Sequence, residues 1–184
     1  MLTHSRQLDE TQCAAFREYT AMQALPLANY LIRVSICRKS WISNLQLQKI
    51  LYFLQIRSLI ETGYSHPLIA DDFEAWRFGP VVRDVYRAYS HNAGLKILHV
   101  SAVQPQLPAD GSIPAYVDAF FTAILKQRAS QLVALSHRPN GAWQRAYQTA
   151  QSHIIPLNDI ADEARQLESQ HIAWLTPAPA AASV

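Results

Sequence analysis

Cysteine is scarce in this sequence: Cys13 and Cys37 are the only two in 184 residues. Two cannot build the disulfide framework of a small secreted domain, and they lie too far apart for a zinc knuckle. Both are expected as reduced thiols in a cytosol, packed as inert residues. Charge is sparse as well. Asp, Glu, Lys and Arg together make up 16% of the chain, and the formal net charge is +2 with the seven histidines neutral. No run of Lys or Arg is dense enough to neutralise a row of phosphates, which argues against direct nucleic-acid binding. No apolar run approaches the roughly 20 residues of a membrane span, and the opening "MLTHSRQLDETQCAAFREYT" lacks the basic region and apolar core of a signal peptide. A cytoplasmic protein without membrane contact is expected.

The common chemical motifs are missing too. The patterns GxSxG, GxGxxG, HExxH and GxxxxGK followed by Ser or Thr do not occur, which removes the usual serine-hydrolase, nucleotide and zinc-peptidase readings. Asp71, Asp72 and Glu74 supply carboxylates for general acid/base work or a hard cation. Alternation in a strand would send the adjacent Asp side chains to opposite faces, so a solvated loop entering a strand is the favoured reading. His137, in "LSHRPNGAW", stands at a helix end, where it serves either as a base or ligand or as a capping or core-bonded histidine. With no second His at metal spacing and no evident nucleophile, the latter is favoured. Trp76, Tyr86, Tyr89 and Trp143 have faces that could stack a ligand, but no basic groove accompanies them, which favours the core. No catalytic residue, cofactor site or metal site is therefore expected. A small-molecule enzyme using Asp71, Asp72, Glu74 or His137 stands as the alternative.

What the sequence does contain is helix. An apolar fraction of 49% in a chain of this length suits one compact domain whose surface leaves some apolar area for a partner. "LPLANYLIRVSICRKS" spaces Leu27, Leu31 and Val34 as a helix, with Pro26 in its first turn. "SNLQLQKILYFLQIRSLIETG" carries a capping box at Ser43 and Gln46 and a left-handed stop at Gly63. Its apolar residues, Leu45 and Leu47 among them, surround most of the circumference, which makes this the central buried helix. Gln46, Lys49 and Arg57 mark its narrow route to solvent or to buried polar partners.

"DDFEAWRFGP" reads as a short strand. Gly79 and Pro80 then open an amphipathic helix with Val81, Val82, Val85, Tyr86 and Tyr89 on one side and Arg83, Asp84 and Arg87 on the other. "GLKILHVSAV" reads as a second strand pairing with the first, and "QPQLPADGSIP" as a loop. Helices follow at "AYVDAFFTAILKQ", "SQLVALSH", "AWQRAYQTAQ" and "LNDIADEARQLESQHIAWL", with a break at "RPNG" and Asn158 or Asp159 as the last cap. The expected fold class is mainly α, a single compact helical domain with a minor two-stranded β element. Residues 1–23 form an N-terminal arm, 24–175 the helical domain and 176–184 a flexible tail.

Three stretches, "LQLQKILYFLQ", "FEAWRFGPVVRDVYRAY" and "LSHRPNGAW", together resemble the Panacea domain family, known from phage-associated proteins, antitoxins and a proteolytic adaptor. The likeness spans about Ala24 to Gln170, and "EAWRFGPVVRDVY" is its most specific piece. A mostly helical fold with a little β structure is implied, together with a protein-binding role. The implied partner is a cognate toxin protein, neutralised by a direct complex. An ATP-dependent protease, to which a client is delivered, and a second copy of the chain are further implied partners. Leu47, Lys49, Tyr52, Glu74, Trp76, Gly79, Pro80, Tyr86, His137 and Trp143 match the signature, which is shared across unrelated toxins and so reads as scaffold. Arg83 and Arg87, one turn apart on a polar face, are the candidate partner-binding pair. The Pro-rich linker and the Ala/Pro tail depart from the family's pattern.

Overall fold

In the computed structural model, which describes residues 21–101, 113–149 and 153–176, the local signals of the central helix act as read. Ser43 Oγ accepts from Gln46 N–H at 3.3 Å and Gln46 Oε1 accepts from Ser43 N–H at 3.1 Å, closing the capping box. The helix ends at Glu61, and Gly63 adopts φ +60°, the left-handed conformation that suits glycine. This helix, α2 (Asn44–Glu61), follows α1 (Ala24–Cys37). Leu47, Ile50, Leu51, Phe53, Leu54 and Ile56 of α2 are all buried. Leu45 is exposed instead, although Asn44 and Leu47 in the same turn are buried.

The remaining elements are β1 (Glu74–Trp76), β2 (Gly79–Val81), α3 (Arg83–Tyr89), a 3-10 turn at Ser90–Asn92, α4 (Ala115–Ile124), α5 (Ala129–Ser136), α6 (Ala142–Thr149), β3 (His153–Ile154) and α7 (Leu157–Ser169). The described residues thus form seven α-helices, with α2 at the centre, and one small antiparallel sheet. α7 packs along α2, while α5 and the hairpin close its other sides. None of the described helices is long and apolar enough to cross a membrane.

Several expectations are corrected. The sheet has three strands in the order β2-β1-β3, with Glu74 opposite Val81 and also Ile154. Both edges of β1 are therefore taken, and "GLKILHVSAV" does not pair with it. Among its described residues that segment forms an isolated bridge, Lys96 to Ser43, and joins no named strand. Pro80 lies in β2 rather than in a helical first turn, where its missing N–H costs an edge strand nothing. α3 begins at Arg83 with no side-chain cap, because the cap residue Val82 has no side-chain acceptor; its own N–H is bound by Gln48 Oε1 at 2.9 Å.

The last helix starts after Pro156 rather than at an Asn158 or Asp159 cap. Asp159 instead pairs with Arg145 at 3.0 Å. The helix also stops at Ser169, and the following turns bring Trp174 against Phe53 and Phe120. Cys37, expected as packing, is exposed at the end of α1. Cys13, nearly all of the Pro-rich linker, most of the amino-terminal arm and the Ala/Pro tail lie outside the described residues.

Candidate partner-binding face

A polar edge runs down the otherwise apolar α2, and it positions everything that follows. Asn44, Gln48, Lys49, Tyr52 and Gln55 are buried, and each bonds outside its own helix or to a neighbour that does. Asn44 Nδ2 donates to the Tyr86 carbonyl at 3.1 Å, and Gln48 Nε2 donates to Asn44 Oδ1 at 3.2 Å. Lys49 Nζ donates to the Pro80 carbonyl at 3.1 Å. Gln55 receives the Ile69 N–H at 2.8 Å. A buried backbone group left unpaired costs about 1–3 kcal/mol, so these side chains hold the hairpin and α3 against the helix.

Lys49 is fully buried and has no carboxylate partner, and burial pulls its ammonium from the ordinary 10.5 down to about 7. Gly79 lies directly over it: a Cβ there would sit 2.3 Å from Lys49 Nζ and 3.0 Å from Ser136 Oγ. Gly79 also follows the two-residue turn Arg77–Phe78 with φ +103°, a conformation that L side chains rarely adopt. Gly79→Ala is accordingly expected to lower stability by about 2–4 kcal/mol through backbone strain and overpacking together. Urea unfolding with a reduced midpoint and an unchanged m-value is the result to look for.

A second buried group ties the far side. Tyr52 Oη donates to Glu163 Oε2 at 2.9 Å, and the same oxygen accepts from Ala142 N–H, at the start of α6, at 2.6 Å. Burial pushes the Glu163 carboxyl up, opposed by those two donors and by Arg138 and Arg145. Burial and the Glu163 charge also push the Tyr52 hydroxyl well above its ordinary value, so it remains a donor. Trp143, on α6, donates its Nε1–H to the Trp76 carbonyl at 2.9 Å and stacks between His137 at 3.8 Å and Tyr147 at 4.8 Å. Burial, then the nearby Lys49, lowers His137, while a hydrogen bond with the Phe78 backbone opposes them. Leu47 is fully buried in the core.

The outward side of this framework is different in kind. Glu74 accepts from Arg83 Nε at 2.7 Å and Nη2 at 2.6 Å, and from Trp76 Nε1 at 2.8 Å. Burial alone would raise the Glu74 carboxyl, but the Arg83 guanidinium and the Trp76 N–H hold it below the usual range. The Trp76 and Tyr86 rings meet at 4.8 Å, with the Arg83 guanidinium 5.8 Å above Trp76. Tyr86, expected on the apolar side of its helix, is exposed. At the hairpin tip Phe78 is 62% exposed beneath the Arg77 guanidinium. Among the described residues Arg87 forms an ion pair with Asp84 alone, at 3.9 Å, and its side chain is 67% exposed. Exposed aromatics set among arginines are the side chains from which tight protein interfaces draw most of their energy.

The three carboxylates weighed for catalysis do not converge. Asp71 Oδ2 accepts from Ala24 N–H at 2.7 Å, at the start of α1. Asp72 is exposed, and Glu74 is committed to Trp76 and Arg83. No group of His, Cys, Asp and Glu among the described residues could hold a metal ion. Phe78 and Glu163 were missed from sequence. Glu163 had a signal, since it shares the inward stripe of α7 with Ile160, Ala164 and Leu167. Phe78 had one in its place beside Gly79 in a tight turn.

A family model described as "Antitoxin SocA-like, Panacea domain" matches residues 47–144. Over 133 residues the chain is 36% identical to the protein named Antitoxin SocA from Caulobacter vibrioides (strain NA1000 / CB15N), covering 67% of this chain and 69% of that one. No solved structure matches the chain.

Proposed function

Since this chain belongs to the SocA-like antitoxin family built on the Panacea domain, we propose that it neutralises a cognate toxin protein by binding it directly, through the outward face of the β1–β2 hairpin and α3. The observation that carries this reading is the 36% identity to a protein named as an antitoxin, together with the family match from 47 to 144. The geometry supports this choice of face. Buried polar contacts from α2 hold the hairpin and α3 rigidly, and their exposed side offers Trp76, Phe78, Tyr86 and Arg87. A preordered face loses little entropy on docking. The role is regulatory rather than catalytic, and the partner is met in the cytoplasm.

The test is growth of cells expressing the neighbouring open reading frame from an inducible promoter, with and without this protein. Rescue, with a stable complex of the two purified proteins, is the expected result. Toxicity that co-expression does not relieve would sink the reading. Rescue that disappears when ATP-dependent proteases are deleted would assign delivery for degradation in place of neutralisation by binding.

Arg87→Glu is the sharper probe of the face. Arg83→Glu would set a carboxylate against Glu74 and disturb Trp76, whereas Arg87 is nearly free. The Arg87 variant is expected to keep its stability within about 0.5 kcal/mol while weakening the complex about tenfold or more. Calorimetric titration of the purified pair reads both outcomes, and unchanged affinity would remove α3 from the interface.

A further inference from the structure

The start of α2 and the segment after α3 carry a second apolar surface that the hairpin face does not use. Leu95 is 74% exposed, Leu98 54%, Trp41 43% and Leu45 40%. Backbone pairing brings Trp41 and Leu98 together, and Leu95 and Leu45 lie within two residues of its bridged pair. Ser43 and Lys96 form an antiparallel bridge, and Ile97 N–H donates to the Ile42 carbonyl at 2.8 Å. That register sets Trp41 opposite Leu98. Alternation then turns Ile42 and Ile97 into the core and leaves Trp41, Leu98 and Lys96 on the outer side. Leu45 stands beside Gln46, whose Oε1 accepts from Lys96 Nζ at 2.9 Å.

Along the two segments that form this surface the charge has one sign; a described carboxylate close by is Asp118, on the helix that Arg38 reaches through Thr122. From Val34 to Ile60 and from Val85 to Ser101 the sequence contains no Asp or Glu. Arg38, Lys39 and Lys96 are all exposed along the same two segments. Clustered apolar side chains rimmed by cations are complementary to an apolar segment flanked by carboxylates.

We propose that the Trp41–Leu45–Leu95–Leu98 surface is a second protein-docking site, seating a short leucine- or aromatic-rich segment of a partner protein that carries Asp or Glu on its flanks. A second copy of this chain fits poorly, because a two-fold contact would press Lys96 and Lys39 against their own equivalents. An anionic bilayer fits poorly as well, since four side chains bury too little hydrocarbon to hold a protein on a membrane. The site shares no residue with the hairpin face and stands whether or not that face binds a toxin.

Random peptides displayed on phage, selected on the full chain and counter-selected on the Leu95→Ser/Leu98→Ser double variant, test this directly. The peptides that remain are expected to combine Leu, Ile, Phe or Trp with Asp or Glu. Made synthetically, they should bind the double variant and Lys96→Glu about tenfold more weakly or worse, while Arg87→Glu leaves them unaffected. Thermal unfolding of each variant confirms that its fold is retained. Survivors rich in Lys or Arg, survivors without carboxylates, equal affinity for the variants, or no survivors would each overturn the proposal. So would a dimer of the full chain in sedimentation that the double variant abolishes, or flotation with phosphatidylglycerol vesicles in the absence of peptide binding.

Discussion

Glu163→Ala is expected to be among the most damaging single substitutions in this protein, lowering its stability by about 3–5 kcal/mol. That approaches the whole stability of a small domain. The glutamate is fully buried and one of its oxygens serves two donors, Tyr52 Oη and Ala142 N–H. Truncation strands both donors in the interior and opens a void beside them. It also removes the negative charge facing Arg138 and Arg145. Glu163→Gln keeps an oxygen for the two donors and should lose no more than about half as much. Urea denaturation of the three proteins gives the order wild type, Gln, Ala. A glutamine variant as unstable as the alanine one would show that charge, not hydrogen bonding, dominates at this position.

The second large effect is a dependence of stability on pH that traces to Lys49. The folded protein holds this ammonium at about 7 by burial, against 10.5 for an ordinary lysine. Between those values the unfolded chain binds the proton and the folded one does not, so stability rises with pH across the window by up to about 1.4 kcal/mol per pH unit. Below about 7 both states are protonated, and the cost of burying the charge is present in full. Lys49→Met keeps the length of the side chain and removes the titration. The difference in unfolding free energy between wild type and this variant should grow steadily in favour of wild type from pH 7 to pH 10. A difference that stays flat across the window would mean that Lys49 is charged in the fold and that the Pro80 carbonyl is enough to hold it. Near neutral pH the variant loses the bond to Pro80 but also the buried charge, and the two oppose each other.

Lys49 and Tyr52, two residues of the family signature, have internal partners that account for them. They lie one turn apart on α2 and fasten the hairpin and the start of α6 respectively, the latter through Glu163. Trp143 joins the two fastened pieces by donating to the Trp76 carbonyl. Among the described residues, the exposed Phe78 and Arg87 meet no such internal demand.

The helices were legible in the chain, and so were both ends of α2 and the end of α5, because their causes are short-range. Ser43 with Gln46, Gly63 and the "RPNG" break act within a few residues, and apolar periodicity identifies α2 as central without knowledge of what covers it. Strand pairing was not legible. A two-residue strand such as His153–Ile154 carries no periodic signal, and it is β1, far away in the chain, that makes it a strand. For the same reason Pro80 passed for a helix start, since the residue suits a first turn and an edge strand equally well.

The site divides along the same line. The sequence singled out Lys49, Tyr52, Glu74 and Trp76 through its resemblance to a family signature, and Arg83 with Arg87 as a candidate pair on a polar face. Only the tertiary structure decided their roles: Lys49 stripped of water beneath Gly79, Tyr52 bound to a glutamate 111 residues away, Arg83 locked to Glu74 while Arg87 stays open. Desolvation and pairing depend on every group that packs around a side chain, and those neighbours come from elements the local chain does not contain.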